Sequence, residues 1–172
     1  MIAPPHPIVL ASRVPRRPHG ALQVGLISDT HGLLRPQALA ALDGSDRIVH
    51  AGDVGAVRVV ESLRALAPLT VVRGNNDRMA PLVHLPETAI VDLAGMRILV
   101  LHDLNALEFG ATRDIAVVVS GHSHRPSSIA RDGVLYVNPG SAGPRRFTLP
   151  VSVGLLFVRA GEVEAHLVQL AV

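Results

Sequence analysis

Seven side chains with metal-binding chemistry fall in five short motifs of this chain. They are Asp29 and His31 in Ser-Asp-Thr-His-Gly, Asp53 in Ala-Gly-Asp-Val-Gly, Asn75 in Arg-Gly-Asn-Asn-Asp, His102 in Leu-Val-Leu-His-Asp, and His122 with His124 in Gly-His-Ser-His. Carboxylate and imidazole together suit Mn²⁺, Fe or Zn²⁺ better than Ca²⁺ or Mg²⁺. Two carboxylates, one amide and four histidines exceed what one divalent ion needs. Such a set fits two ions sharing a bridging ligand, and the two oxygens of a carboxylate such as Asp53 can bridge cations about 3.5–4 Å apart. Taken singly, each motif has a plainer explanation. Asp29 could cap a turn, Asp53 could cap a helix, Gly74-Asn75 could be a turn, and His102 a satisfied structural histidine. The pair His122 and His124 is the most specific piece, because two rings two residues apart after a β-branched run can feed neighbouring ions. The metal reading rests on all five motifs occurring together, each at the exit of an apolar run.

Those apolar runs define the elements that must position the ligands. Residues 22–28 read as a short buried strand ending in a polar loop. Pro36 starts a helix of good formers that continues through 38–42. Residues 47–50 form a second strand. Residues 57–66 have helical apolar spacing and stop before Pro68, and 69–72 give a third strand. This strand–helix–strand–helix–strand order implies parallel pairing with right-handed crossovers. The pattern then changes to hairpins: 88–93 and 96–101 flank Ala94-Gly95, 128–130 and 134–137 flank Asp132-Gly133, and 151–158 and 163–170 flank Gly161. Residues 104–112 suggest a short helix, and the β-branched run 115–119 suggests one more strand. The expected fold class is α/β: two packed mixed β-sheets flanked by helices, a four-layer αββα sandwich. Ligand loops at strand C-termini would gather along one rim, where open α/β sheets bind their ligands.

A length of 172 residues is one domain's worth and can bury a real core. A mean hydropathy of +0.36 and 48% apolar content exclude a disordered chain. No apolar run reaches the roughly 18 residues of a membrane span. The absence of cysteine excludes disulfides and thiolate metal sites. A pI of about 10.3 accompanies a formal charge of only +2 because all 16 basic residues are Arg, whose pKa is very high. The densest basic cluster is Arg13, Arg16 and Arg17, which is not the stripe of a nucleic-acid binder. The first twenty residues are punctuated by Pro4, Pro5, Pro7, Pro15 and Pro18, with His6 and His19 read as solvated. Their apolar piece, 8–11, is shorter than the roughly 7–15 residues of a signal-peptide core. The expectation is a Pro/Arg-rich arm over 1–20, a single domain over 21–172, and a cytoplasmic protein without membrane contact.

The order Asp-x-His, Gly-Asp, Gly-Asn, His, Gly-His-x-His resembles the calcineurin-like metallophosphoesterase superfamily. The short spacings and the closing Asn138-Pro139-Gly140-Ser141 resemble its small YfcE-like phosphodiesterase branch, over about residues 22–170. The resemblance implies that Asp29, His31, Asp53 and His124 hold one ion, that Asp53, Asn75, His102 and His122 hold another, and that Asp53 is the bridge. It further implies two divalent ions, with Mn²⁺ expected and Fe, Zn²⁺ or Ni²⁺ as alternatives. The implied reaction is hydrolysis of a phosphodiester by a water or hydroxide between the ions. The expected catalytic set is then Asp53, Asn75, Asn76 and Asp77, with Asn76, Arg78 and Arg125 touching substrate.

Two positions depart from that pattern. Many members carry His directly after the Asn ligand, where this chain has Asn76, and an amide cannot donate a proton in acid catalysis. Asp77 and Asp103 are the nearest acids in sequence. Gly usually follows the His102 position, whereas Asp103 here adds a carboxylate that could narrow access or repel polyanions. Arg78 and Arg125 could hold a phosphate oxygen. His50 reads as a buried packing residue or a support for the ligands, and His84 and His166 as surface residues. Nineteen residues separate His102 from His122, too few for a cap domain, so an open pocket is expected. The expected partners are a small phosphodiester and, for a homo-oligomer, further copies of the chain; nucleic acid and membrane are not expected. Two other function classes compete. One is a protein-assembly scaffold like the retromer subunit of the same fold, opposed by the complete ligand set. The other is a dimetal nuclease, opposed by the missing basic stripe.

Overall fold

The computed structural model describes residues 10–108 and 110–172. The first nine residues of the expected arm, His6 among them, and Phe109 lie outside the described residues. Strands β1 (Leu22–Ile27), β2 (Arg47–His50) and β3 (Leu69–Val71) follow the first three apolar runs and pair in parallel. Helices α1 (Pro36–Leu42) and α2 (Val57–Leu66) make the crossovers, with Pro36 at the first turn of α1, where a missing N–H costs nothing. The hairpin β9 (Ser152–Arg159) and β10 (Glu162–Gln169) adds antiparallel to β1, so the first sheet has the order β10-β9-β1-β2-β3.

The second sheet holds β4 (Thr88–Leu93), β5 (Met96–Leu101), β6 (Val117–Val119), β7 (Ser127–Arg131) and β8 (Val134–Asn138), in the order β4-β5-β6-β8-β7. Here β5, β6 and β8 run parallel while the β4–β5 and β7–β8 hairpins supply antiparallel edges. Both sheets are therefore mixed, as expected, and each presents three parallel C-termini at one rim.

Strand periodicity decides which side chains lie between the sheets. Val24 and Leu26 of β1 meet Ile98, Val100, Val117, Val119 and Val137 in the inner core. The alternate residues of the first sheet, such as Ile27, Ile48, Leu155 and Phe157, pack under α1 and α2 with Leu42, Val59 and Leu63.

The outer side of the second sheet differs from the expectation. The helix read over 104–112 is only a 3-10 turn, Leu104–Ala106. Its N–H groups bond three residues back (Ala106 to Asp103, Leu107 to Leu104, Ala111 to Glu108), and Gly110 takes a left-handed φ of 79°. The Asp103 side chain also accepts from Asn105 N–H, a local bond that competes with an α-turn. Leu107 and Ile115 of this segment cover Leu99, Leu101 and Val118.

The described part of the arm is tied down. Ala11 exchanges two 2.9 Å bonds with β10, through Leu167 O and Gln169 N–H, and so covers an otherwise open edge. Arg17 pairs with Asp46 at 2.8 Å. Among the described residues no helix is long and apolar enough to cross a membrane.

Candidate metal centre

All seven candidate ligands sit in loops that leave parallel strands on the same rim. Asp29 and His31 follow β1, Asp53 follows β2 and Asn75 follows β3, while His102 leaves β5 and His122 and His124 leave β6. The backbone is unusual there. Asp29, His31, Asp53, His122 and His124 have φ of 53°, 45°, 54°, 67° and 58°. Left-handed backbone at non-glycine residues costs of order 1–3 kcal/mol each and concentrates at functional sites. Two glycines permit the loops to meet. A Cβ on Gly74 would overlap the backbone N and Oδ1 of Asp53, and one on Gly121 would overlap Ser28 Oγ and lie 2.7 Å from Asp29 Oδ2.

One group of ligands is closed. Asp29 is fully buried, His31 and His124 are 15% and 11% exposed at their side chains, and ligand atoms of the three lie within 4.8 Å of one another. His124 Nε2 lies 3.2 Å from Asp29 Oδ1 and 3.4 Å from His31 Nε2. Asp29 Oδ2 accepts from Ser28 Oγ at 2.6 Å and from His122 N–H at 3.1 Å. Its Oδ1 is buried and makes no hydrogen bond, which is costly for a carboxylate oxygen unless a cation faces it.

The other group is open. Asn75 Oδ1 lies 3.1 Å from both His102 Nε2 and His122 Nδ1. Asp53 Oδ2 is 3.4 Å from His102 Nε2 and 3.9 Å from His31 Nε2, so one carboxylate oxygen faces both groups. His102 and Asp53 are buried, while Asn75 and His122 are exposed. His102 Nδ1 lies 2.7 Å from Ala51 O and donates to it, which leaves the Nε2 lone pair aimed at two oxygen acceptors. Converging lone pairs favour a cation, whether proton or metal. Burial opposes a charge on His102, but the Asp53 carboxylate and the Ala51 carbonyl raise its pKa. Burial works against the Asp53 charge too, and hydrogen bonds from His102 and Asn76 nevertheless hold that carboxyl well below its usual range. Burial lowers the His31 pKa despite Asp53 and Asp29, which keeps the ring in the neutral, ligating form.

The residues expected around the ligands are placed as follows. Asn76 grips Asp53 twice, with backbone N–H to Oδ1 at 2.8 Å and Nδ2–H to Oδ2 at 2.6 Å. Asp77, expected to act in catalysis, is instead turned inward and buried. Its carboxylate accepts the N–H groups of Val54, Gly55 and Gly74 at 3.1, 2.9 and 2.9 Å, so it ties the Asp53 loop to the Asn75 loop and has no role as an acid at the rim. Arg78 is exposed, with Nε donating to Asn75 O at 2.9 Å. Arg125 is exposed beside His124. Asp103 caps the 104–106 turn and lies 3.9 Å from His122 Nε2.

Two supports, Ser28 and Thr30, were not singled out by sequence reasoning. Ser28 hydrogen-bonds Asp29. Asn138 Nδ2 donates to Gly121 O at 2.7 Å, and Ser141 Oγ donates to Asp29 O at 3.0 Å, so the 138–141 loop braces both ligand loops. His50 is fully buried and neutral: burial pushes its pKa down to about 4 despite nearby Asp29 and Asp77. Its Nδ1 accepts Gly52 N–H and its Nε2–H donates to Thr30 Oγ1 at 2.9 Å, which in turn donates to Val54 O. The only sequence sign of these supports is a Ser, Thr or Asn flanking a ligand motif.

The calcineurin-like phosphoesterase superfamily domain matches residues 22–161. A probable metallophosphoesterase of Methanothermobacter thermautotrophicus is 30% identical over 85% of this chain and 91% of its own length. Yfce, a phosphoesterase from E. coli, superposes with a TM-score of 0.60 at 24% identity, covering 79% of this chain and 91% of that one. Vps29 of Entamoeba histolytica in complex with zinc superposes with a TM-score of 0.64 at 24% identity, covering 86% and 99% of the two chains. The sequence match, together with a rim of buried carboxylate and imidazole groups suited to divalent metal, gives the conclusion that the chain belongs to the calcineurin-like phosphoesterase superfamily.

Proposed function

We propose that the protein is a dimetal phosphodiesterase acting on a small phosphodiester. The observation that carries this reading is Asp53 Oδ2, which faces His31 Nε2 on one side and His102 Nε2 on the other, at 3.9 and 3.4 Å. Asp29, His31, Asp53 and His124 would hold one ion; Asp53, Asn75, His102 and His122 would hold the other. Bound there, two divalent ions such as Mn²⁺ supply an acidified water and offset charge on the phosphorus oxygens. The chain itself fixes the donors. Asn76 orients the shared carboxylate, Ser28 and His122 N–H orient Asp29, and the Ala51 carbonyl fixes the His102 tautomer. The exposed Arg78 and Arg125, next to the Asn75 and His124 motifs in sequence, would serve as cations for a phosphate oxygen.

Asn76 has no proton to give in acid catalysis, and its Nδ2–H already serves Asp53. The reading therefore favours diesters with good leaving groups over alkyl phosphates. A direct test is hydrolysis of bis(p-nitrophenyl) phosphate with and without added Mn²⁺, paired with elemental analysis of the purified protein. Metal-dependent turnover that is lost in Asp53→Ala is expected. An absence of metal-dependent turnover, with Asp53→Ala indistinguishable from the parent, overturns the reading and favours protein assembly instead.

A further inference from the structure

A cleft of about 850 Å³ opens directly from the less buried ligand group, with Asn75 and His102 in its wall. It runs over the outer face of the second sheet, between Ala106, Leu107, Glu108 and Ala111 on one side and the edge strand β4 on the other. Residues 104–106 beside it form a 3-10 turn where a helix was expected. The floor is apolar: Val83, Ile90, Leu99, Leu101 and Leu107. Ile90 is 49% exposed, a large aliphatic side chain on β4, the edge strand that pairs with β5 alone among the described residues.

The charges around the cleft are not those of a polyanion site. Arg73 is tied to Glu87 and to Val83 O. Asp77 is buried under three N–H groups. Among the described residues, Asp103 and Glu108 then stand against Arg78, an acidic excess that repels a second phosphate group. Volume, apolar floor and a few charged groups at the mouth are the properties of a small-molecule pocket. A phosphoryl group at the ligands has its ester substituents within reach of this cleft.

We infer that the cleft is the specificity subsite of the reaction proposed above, and that it takes one uncharged aryl or branched alkyl ester group of a phosphodiester carrying no further phosphate. This rests on the phosphodiesterase reading, and the experiment separates the two. The parent, Ile90→Glu, Ala106→Phe and Ile129→Glu proteins are compared on phenyl p-nitrophenyl phosphate and methyl p-nitrophenyl phosphate, which share a leaving group. Ala106 is an exposed residue of the cleft wall, and Ile129 is 54% exposed on the opposite edge strand, β7. The parent is expected to favour the phenyl diester in kcat/KM on the order of tenfold, from burial of one ring. That ratio falls toward one in Ile90→Glu, where a charge enters the floor, and in Ala106→Phe, where volume is lost, and it persists in Ile129→Glu. A parent ratio near one, a ratio retained in both cleft variants, or one lost equally in Ile129→Glu overturns the subsite. Should the parent hydrolyse neither compound, the phosphodiesterase reading fails and calorimetry decides the cleft. Tighter binding of diphenyl than of dimethyl phosphate to the Mn²⁺-treated parent, lost in Ile90→Glu, supports it, and equal affinities overturn it.

Discussion

The two ligand groups share carboxylate and imidazole donors, the open one adding the amide of Asn75, but they are held in different ways. Asp29 and His124 are buried and His31 is half-buried; all three lie on left-handed backbone and are braced from behind by Ser28, Thr30, Ser141 and the neutral His50. Asn75 and His122 face solvent, Asn75 and His102 line the cleft, and on that side His102 and Asp53 are buried. Water can replace a missing donor in an open group far more easily than in a closed one. On the proposed reading, the closed side would retain an ion and the open side would exchange ligands with a substrate. Asp53 belongs to both.

The largest expected effect tests that asymmetry. His124→Ala should lower metal-dependent kcat/KM about a thousandfold, close to 4 kcal/mol, and reduce the bound metal seen by elemental analysis. His122→Ala should cost about thirtyfold and be partly restored by excess Mn²⁺. Equal losses in the two variants would remove the distinction between closed and open.

Acid tests the brace behind the closed group. His50 is held neutral with a pKa near 4 against an ordinary value of 6.5. Below pH 6.5 the unfolded chain takes up this proton and the folded chain does not. The stability is therefore complete above that pH and is lost as pH falls toward 4, by about 3 kcal/mol in total. Urea melts at pH 7 and pH 4.5 should show this slope in the parent, and His50→Gln should flatten it whatever it costs at pH 7.

The shared carboxylate gives a smaller effect. Asn76→Ala removes one of the two bonds that orient Asp53 but leaves the backbone N–H bond. Removing such supports of a ligand typically costs about 10–100-fold in metal affinity, measurable as a rise in the Mn²⁺ concentration for half-maximal activity. The smallest effect belongs to the open side alone. Asp103→Asn removes a half-exposed acid 3.9 Å from His122, and should raise the rate on a dianionic aryl monoester relative to a monoanionic diester about twofold. The gain should vanish at high salt, because exposed charges are screened there.

Much of this was legible in the order of residues. The parallel strand–helix units were readable because short apolar runs and helical spacing carry their own periods, and β2, α2 and the β4–β5 hairpin fall where those periods and the Ala94-Gly95 turn set them. The seven donor side chains were legible as a group because all follow such runs. Asp77 was not: in sequence it is one more acid beside a ligand, and only the approach of the Val54–Gly55 and Gly74 backbones makes it a brace. The 104–112 segment misled because its composition permits a helix, while the Asp103 side chain and Gly110 favour tighter turns.

By itself, then, the sequence determined the class of the fold, the family and the candidate donors, since these depend on local periodicity and on side-chain chemistry. Tertiary structure alone decided which donors are buried, which acid points inward, and that a cleft opens beside Asn75 and His102. Those outcomes depend on how the fold brings together loops far apart in sequence, such as Asp29 and His122, 93 residues apart, and no local pattern encodes that approach.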